Sequence, residues 1–326
     1  MFERIIRFAA PLALLVALFT PQLSSGQTTC YAINNASSSG SWSDSNIWSN
    51  SPGGSGGTCS GGTPADNDTA VVENGTVLQD VASLNVDSIS VTGGASILMD
   101  DDITTAGGVT VGSNSSLKTF RTDFGGSPNG SGKLTVNGTL DNDGTVQIDR
   151  EAGGSGALEV AGDLVNDGTV DVNQNGGTGA ADLIVSSNLS NNDMFTATGP
   201  PITIGNNVTN TDTMTIESDL DITGTFENSG SDSKIEIDSD TLDAAGITND
   251  GAIVGANQAT IVSSGQINNN PTSTGATLNI GTGLIEVEGR FRNASGGSFT
   301  ASTSGGNSGK VIFNGSSASP QSLQGD

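Results

Sequence analysis

Residues 134–172 read LTVNGTLDNDGTVQIDREAGGSGALEVAGDLVNDGTVDV, and one pattern of residue types occurs twice in this stretch. In the first copy Leu140 is followed two positions later by Asn142, and in the second Leu164 is followed by Asn166. Between Leu140 and Asn293 this pairing of an apolar residue with an asparagine recurs at roughly regular spacing in eight copies, Leu140/Asn142, Leu164/Asn166, Leu189/Asn191, Val208/Asn210, Phe226/Asn228, Ile247/Asn249, Ile267/Asn269 and Phe291/Asn293.

The spacing of these asparagines indicates a repeat architecture. Successive members are 18 to 25 residues apart, with a mean step of about 21.6 residues. A period in the low twenties is typical of a solenoid, in which each repeat buries its apolar side chains against its neighbours. A β-sandwich is the competing fold, but it would not require one position to recur at this spacing.

Each repeat contains short triplets in which apolar and polar residues alternate. Leu134–Val136, Val146–Ile148 and Leu158–Val160 are examples. A period of two predicts strands with one buried face. Beyond the first residues, no stretch keeps an apolar period of 3.6 over three turns, so helices should be nearly absent. The sequence therefore predicts an all-β parallel β-helix (β-solenoid) with about 22 residues per coil and an N-terminal cap.

The asparagines are the predicted structural residues of this solenoid. Residues 142–144, 166–168 and 249–251 all read Asn-Asp-Gly, residue types that tolerate positive φ in turns. An asparagine amide both donates and accepts hydrogen bonds, so copies stacked about every 4.8 Å can bond to one another. We therefore expect an inward or corner ladder of asparagines; the alternative is that each is a turn residue without internal stacking.

The first 26 residues have the features of a secretory signal peptide. Arg4 and Arg7 precede an apolar run over residues 8–19, and Ser24-Ser25-Gly26 offers a small-residue cleavage site. The run is too short to span a membrane. The sequence thus predicts export, a location in the medium or on the cell surface, and no transmembrane segment.

Residues 27–70 differ in composition from the repeats and are expected to cap the first coil. They contain the only cysteines, Cys30 and Cys59, which we expect to form a disulfide in an exported chain. Trp42 and Trp48, the only tryptophans, are expected to plug the open end of the core; a sugar-binding platform is the alternative. Residues 71–326 would then form the β-helix.

The charge and the residue types exclude several functions. The formal net charge is −25, so nucleic acid is a poor partner, because phosphate binding requires clustered lysine and arginine. The chain has no histidine, which rules out histidine-based catalysis and makes a zinc site with only two thiols improbable. We predict no catalytic residues, no metal site and no cofactor.

Two weaker candidates for chemistry remain in the sequence. Glu286, Glu288, Arg290 and Arg292 alternate along one stretch and are expected to pair on a single outward face; Lys118 with Arg121 is a second basic site. Calcium is a further alternative, because carboxylates offer oxygen ligands in three segments, Asp100–Asp102, Asp141–Asp143 and Asp238–Asp243. Ordinary solvated turns are the preferred interpretation of these segments.

The two ends of the repeat region carry a family resemblance. Residues 39–48 (SGSWSDSNIW), with Asp68-Thr69-Ala70-Val71-Val72 and Asn74-Gly75, resemble the opening of large secreted bacterial β-helix proteins of the adhesin and autotransporter-passenger type. Residues 311–315 (VIFNG), with Gln321 and Gly325, are similar to coils inside such proteins. The resemblance implies a longer chain, since such proteins continue through more coils; the lack of a polar capping repeat before Asp326 agrees with a β-helix truncated at its C-terminal end.

Together these features favour an exported, non-catalytic surface or matrix protein, a β-helical rod belonging to an adhesin or stalk. Its partner would be an unknown surface ligand or the further coils of a longer chain. The alternative is a secreted glycan-binding or polysaccharide-active β-helix protein, whose binding loops would be residues 121–132 or 269–277. Aromatic residues make up only 4% of the chain, which argues against an extended sugar-binding groove.

Overall fold

A computed structural model describes residues 27–32, 40–54, 56–59, 61–81, 84–99, 102–118, 133–150, 157–174, 183–199, 201–255, 258–269, 276–301, 309–315 and 323–325. The predicted signal peptide and the segment 119–132 lie outside these residues. About 57% of the described residues are in strands. Within the described ranges the helices are two three-residue 3₁₀ turns, Ser45–Ile47 and Pro52–Gly54. The all-β prediction is confirmed.

Each coil contributes a short strand to each of three faces of the solenoid. The ladder face, which holds the asparagines, consists of Thr29–Ala32, Thr69–Val72, Ser88–Val91, Val109–Val111, Leu140–Asn142, Leu164–Asn166, Leu189–Asn191, Val208–Asn210, the second half of Leu220–Asn228, the second half of Thr241–Asn249, Ile267–Asn269, Phe291–Asn293 and Leu323–Gly325.

The chain then enters the middle face, a 12-stranded sheet. Its strands are Gly40–Ser41, Val77–Val81, Ser96–Met99, Ser116–Lys118, Thr145–Arg150, Thr169–Gln174, Met194–Thr198, Thr213–Glu217, Lys234–Ile237, Ala252–Gly255, Thr277–Asn279 and Ser298–Thr300. The return face leads back to the ladder face, and its strands are Leu84–Val86, Ile103–Thr105, Lys133–Val136, Ala157–Val160, Leu183–Val185, Ile202–Ile204, the first halves of Leu220–Asn228 and Thr241–Asn249, Thr260–Ser263, Leu284–Val287 and Lys310–Phe313.

Strands pair in parallel with the equivalent strands of the coils before and after. Leu140 and Asn142 lie opposite Leu164 and Asn166, so the apolar–asparagine pair keeps its register from coil to coil. Trp48–Ser49 is the exception, because it runs antiparallel to the first ladder strand, Thr29–Ala32. The coils average about 21 residues, close to the predicted 22. The predicted parallel β-solenoid is confirmed.

The core is a set of apolar columns that run along the solenoid axis. On the ladder face, Leu140, Leu164, Leu189, Val208 and Phe226 stack in register, and none has exposed surface. The residue that follows each of them points outward. This alternation is the period of two that the sequence displays.

Close approach between coils explains several glycines of the corners, whereas others, such as Gly75, have positive φ. At the Gly corner, between return and ladder faces, a Cβ added to Gly162 would lie 2.5 Å from the carbonyl oxygen of Gly138. At the Asn corner, between ladder and middle faces, a Cβ on Gly144 would lie 2.4 Å from the carbonyl oxygen of Ser115. The Asn-Asp-Gly turns do not use the positive φ that their residue types tolerate, because none of residues 142–144, 166–168 and 249–251 has that conformation.

The core columns can be tested with an adjacent pair of substitutions. Leu189 is fully buried and the neighbouring Ser190 points outward. Leu189→Asp places an unpaired charge in the core, and we expect the melting temperature to fall by about 10 °C. Ser190→Asp should leave it nearly unchanged. Equal melting temperatures for the two variants, measured by circular dichroism, would contradict the inward assignment of Leu189.

Candidate functional site: the asparagine ladder

The ladder asparagines form one continuous hydrogen-bonded column inside the solenoid. Seven of the eight have no exposed surface, and Asn293 is partly exposed. In each neighbouring pair, Nδ2 of one coil donates to Oδ1 of the next. The distances are Asn142 to Asn166 2.8 Å, Asn166 to Asn191 2.7 Å, Asn191 to Asn210 2.7 Å, Asn210 to Asn228 2.8 Å, Asn228 to Asn249 2.8 Å, Asn249 to Asn269 2.8 Å and Asn269 to Asn293 2.6 Å.

The amides also bond the backbone of the Asn corner. Nδ2 of Asn142 donates to the carbonyl oxygen of Thr169 at 3.0 Å, and Nδ2 of Asn166 donates to that of Met194 at 3.0 Å. The ladder amides from Asn142 to Asn269 therefore each tie their own strand to the middle face of the next coil. Because buried donors and acceptors without partners are costly, this network stabilises one register of the coils.

All the amides point in the same direction along the axis. Their dipoles therefore align, and chains of aligned hydrogen bonds polarise and strengthen one another. The first member, Asn142, has no amide beneath it, and its Oδ1 accepts from the backbone N–H of Gly144 at 3.2 Å. An asparagine amide carries no titratable proton at ordinary pH and is a poor nucleophile. The asparagine column can therefore hold the coils together, but its amides cannot act as acids or bases.

A second polar column, which the sequence analysis missed, lies outside the Gly corner. Oδ1 of Asp163 accepts from Ser187 Oγ at 2.6 Å, from the backbone N–H of Asn188 at 3.0 Å and from Asn188 Nδ2 at 2.9 Å. Oδ1 of Asn188 accepts from the N–H of Asn207, and Oδ1 of Asn207 accepts from the N–H and hydroxyl of Thr225. The sequence does mark this second column by position, because one residue directly precedes the ladder-face apolar residue in each of four coils. These residues are Asp163, Asn188, Asn207 and Thr225.

The cap residues lie together at the first coil. Cys30 and Cys59 form a disulfide, with Cα atoms 5.5 Å apart, and both are buried. The rings of Trp42 and Trp48 are 4.7 Å apart, and Trp48 Nε1 donates to the carbonyl oxygen of Trp42 at 2.9 Å. Both indoles are at least 96% buried, so neither presents a face on which a sugar could stack.

Carboxylates converge at the Asn corner near the start of the ladder. Oxygens of Asp141, Asp143 and Asp167 lie within 4.8 Å of one another on the exposed surface. Burial, followed by the charges of Asp143 and Asp167, raises the pKa of Asp141 above 3.8. Three such oxygens are fewer than the six to eight ligands that calcium takes. Calcium binding here stays the alternative to the ordinary solvated turn that we predicted, and Asp100 and Asp101 lie outside the described residues.

A second group of carboxylates lines a surface groove of about 340 Å³ on the middle face. Glu217, Glu236 and Asp238 contribute to its wall, and Glu236 forms an ion pair with Lys234. Asp240 lies close by; burial, together with the charges of neighbouring acidic residues, raises its pKa above 3.8. The groove is open to solvent and acidic.

The alternating set Glu286, Glu288, Arg290 and Arg292 is not on one strand face. Glu286 belongs to the return strand Leu284–Val287, whereas Arg292 belongs to the ladder strand Phe291–Asn293. The Gly corner at 288–290 separates them, so the expected single outward row is wrong. Of the other basic pair, Lys118 lies on the middle face and Arg121 is outside the described residues, as are 270–275 of the predicted loop 269–277.

No protein-family model, curated protein or solved structure matches the chain. What is shown is therefore the fold, a parallel β-solenoid, with the disulfide-linked cysteines at its first coil.

The ladder can be tested with two adjacent asparagines. Asn191→Ala removes one rung and leaves the ladder contacts of Asn166 Nδ2 and Asn210 Oδ1 unmade inside the core. We expect a loss of about 3 kcal/mol in the free energy of unfolding by urea. Asn192→Ala is the control, because Asn192 is exposed and its bond to Asp167 lies on the surface, and it should cost less than about 1 kcal/mol. Equal losses in the free energy of unfolding for the two variants would show that the buried ladder bonds contribute no more to stability than the surface bond does.

The ionised forms of two aspartates should affect the stability of the fold in opposite directions. The hydroxyl of Ser187, followed by the N–H groups of Asn188, lowers the pKa of Asp163 below 3.8. Its ionised form therefore stabilises the fold above pH 3.8, and this contribution is lost as the pH falls through the lowered value. Asp163→Asn should lower the melting temperature at pH 7, and the difference from the wild type should disappear once the pH falls below the lowered pKa.

Asp141→Asn is the matched control for that titration. Because the pKa of Asp141 is raised, its charge opposes folding above the raised value, and the penalty vanishes below 3.8. The variant should melt at or above the wild-type temperature at pH 7. Melting curves from pH 2 to 7 for the three proteins check both signs, and parallel curves would contradict the assignment.

Proposed function

We propose that this chain is an exported, non-catalytic surface or matrix protein whose β-helical rod forms part of an adhesin or stalk. The observation that carries the proposal is the unbroken ladder from Asn142 to Asn293. Its seven bonds join eight coils, so with one strand spacing per step they extend over about 34 Å. A long body whose coils are joined by backbone hydrogen bonds and by buried amides can serve as a spacer between a cell surface and what the cell binds.

The exterior and the first coil support this role. The chain carries 35 acidic and 10 basic residues, and this excess keeps flat strand-rich bodies from associating edge to edge. The Cys30–Cys59 disulfide is compatible with an oxidising, extracellular setting. In the described ranges the longest helices have three residues, and none could cross a lipid bilayer.

The second candidate is a glycan-binding or polysaccharide-active protein, and the acidic groove is the observation that favours it. Glu217, Glu236 and Asp238 line that groove, and pairs of carboxylates perform acid–base chemistry in glycoside hydrolysis. The groove lies on a flat face and lacks an aromatic platform among its lining residues, Thr215, Ile216, Glu217, Glu236, Ile237, Asp238 and Val254. We therefore assign the non-catalytic role first.

Protease treatment of intact native cells distinguishes the two functions. Fractions are immunoblotted with an antibody raised against residues 134–293. For a surface adhesin or stalk, the signal should be in the cell fraction and should disappear after external protease, while a cytoplasmic marker survives. A protein found free in the medium would contradict surface display, and its release of reducing ends from polysaccharides would then contradict the non-catalytic role.

A further inference from the structure

We propose that the solenoid contains a built-in seam, at which it separates into two cooperative units. The lower unit comprises the described residues from 27 to 118, and the upper unit comprises those from 133 to 325. The seam is the set of contacts between the coil that ends at Lys118 and the coil that begins at Lys133. This inference concerns how the rod comes apart, and it adds to the proposed function without resting on it.

The ladder column changes its chemistry at the seam. Ala32, Val72, Val91 and Val111 occupy the ladder position of the lower unit, in register with one another and with Asn142 above them. Every interface from Asn142 to Asn293 contains an amide–amide bond. The seam has none, because Val111 has no polar side-chain atom and Asn142 Oδ1 accepts from its own turn at Gly144. The inner network of the upper unit therefore begins above the seam.

The Asn corner also changes its backbone there. In the lower unit it is a longer turn with left-handed residues, such as Asn74 at φ 58° with Gly75 at 72°, and Asn114 at 59°. Directly above the seam, Asn142 and Gly144 close the corner in fewer residues, and neither has positive φ. Two types of corner thus meet at this interface, so neighbouring turns there cannot stack as copies of one another.

The core column of the return face is interrupted at the same level. Thr105 is fully buried, lies in register with Val136, and its hydroxyl donates to the carbonyl oxygen of Gly107 within its own coil at 2.9 Å. Directly above, Val136, Val160 and Val185 continue the column with apolar contacts. The side chain of Asn137 still crosses the seam to the carbonyl oxygen of Thr105 at 2.8 Å, as do the backbone pairs of three strands. The seam is bonded, but like the interfaces below it, it lacks the inner amide contact. It differs from those interfaces because the change of corner type and the interruption at Thr105 occur there as well.

A solenoid behaves as a row of coils coupled to their nearest neighbours, so cooperativity breaks at the interface with the weakest coupling. Both units satisfy the requirement of at least three stacked repeats for independent stability. The lower unit has ladder-face strands at Thr29–Ala32, Thr69–Val72, Ser88–Val91 and Val109–Val111, and it is closed by the Cys30–Cys59 disulfide. The upper unit has the whole asparagine ladder. Each can therefore unfold or persist without the other.

Hydrogen exchange measured by mass spectrometry at increasing urea tests the seam on residues 27–326 with the disulfide intact. We expect peptides of the lower unit to lose protection together, and peptides of the upper unit to lose it together at a different urea concentration. One common transition for all peptides would overturn the proposal. So would a first break between Ala244 and Ser263, where the buried Ser263 hydroxyl has no hydrogen-bond partner.

A matched pair of substitutions tests the missing rung itself. Val111→Asn places an amide directly beneath Asn142 Oδ1, whereas Val91→Asn places the same amide between Val72 and Val111, where no partner amide exists. We expect Val111→Asn to unfold at a higher urea concentration than Val91→Asn. Val111→Asn should also reduce the difference between the urea midpoints of the lower and upper units at least twofold. Identical midpoints for the two variants, or an unchanged gap, would overturn the assignment of the seam to the missing ladder bond.

Discussion

A buried amide must have its N–H and C=O groups paired, and the architecture of this chain depends on that constraint. Asn166 has no exposed surface, so its Nδ2 and Oδ1 can be satisfied only by groups inside the solenoid. Stacking on Asn142 and Asn191 provides these partners. A slip of one residue would move the amide outside and bring Val165 in, so the register is strongly specified. The core columns and the contacts of the corners follow from that register.

The fold could be predicted because its two determinants are periodic in the sequence. The apolar–asparagine spacing revealed the coil, and the alternation of apolar and polar residues revealed the strands. What could not be predicted depends on the neighbouring coil. Gly144 is required because the carbonyl oxygen of Ser115 approaches it, and Ser115 lies 29 positions earlier in the sequence. A local interpretation therefore assigned the glycine to positive φ, the usual reason for glycine in a turn.

The candidate chemistry was harder to predict, since it depends on where the chain bends. Glu286 and Arg292 alternate as if on one strand, but Gly289 lies at a corner between them, where an added Cβ would lie 2.3 Å from the carbonyl oxygen of Gly265. Trp42 and Trp48 were expected to plug the core, with a sugar platform as the alternative, and their burial leaves no ring face for a sugar. Asp141 and Asp163 are a further example, because both occur just before or within a ladder strand but have different surroundings. Asp141 lies among carboxylates, whereas Asp163 accepts hydrogen bonds from N–H donors.

The same amide–amide bond joins every pair of neighbouring ladder coils, and this affects how the gene can change. Each ladder coil presents an amide donor to the coil after it and an amide acceptor to the coil before it, whatever the length of its outer connections. Any ladder coil can therefore follow any other. Duplication or loss of the DNA between two asparagine codons, such as those of Asn191 and Asn210, would lengthen or shorten the rod by one whole coil and leave an amide–amide bond at every ladder junction. The length of the molecule is therefore free to evolve in discrete steps of one strand spacing, about 4.8 Å.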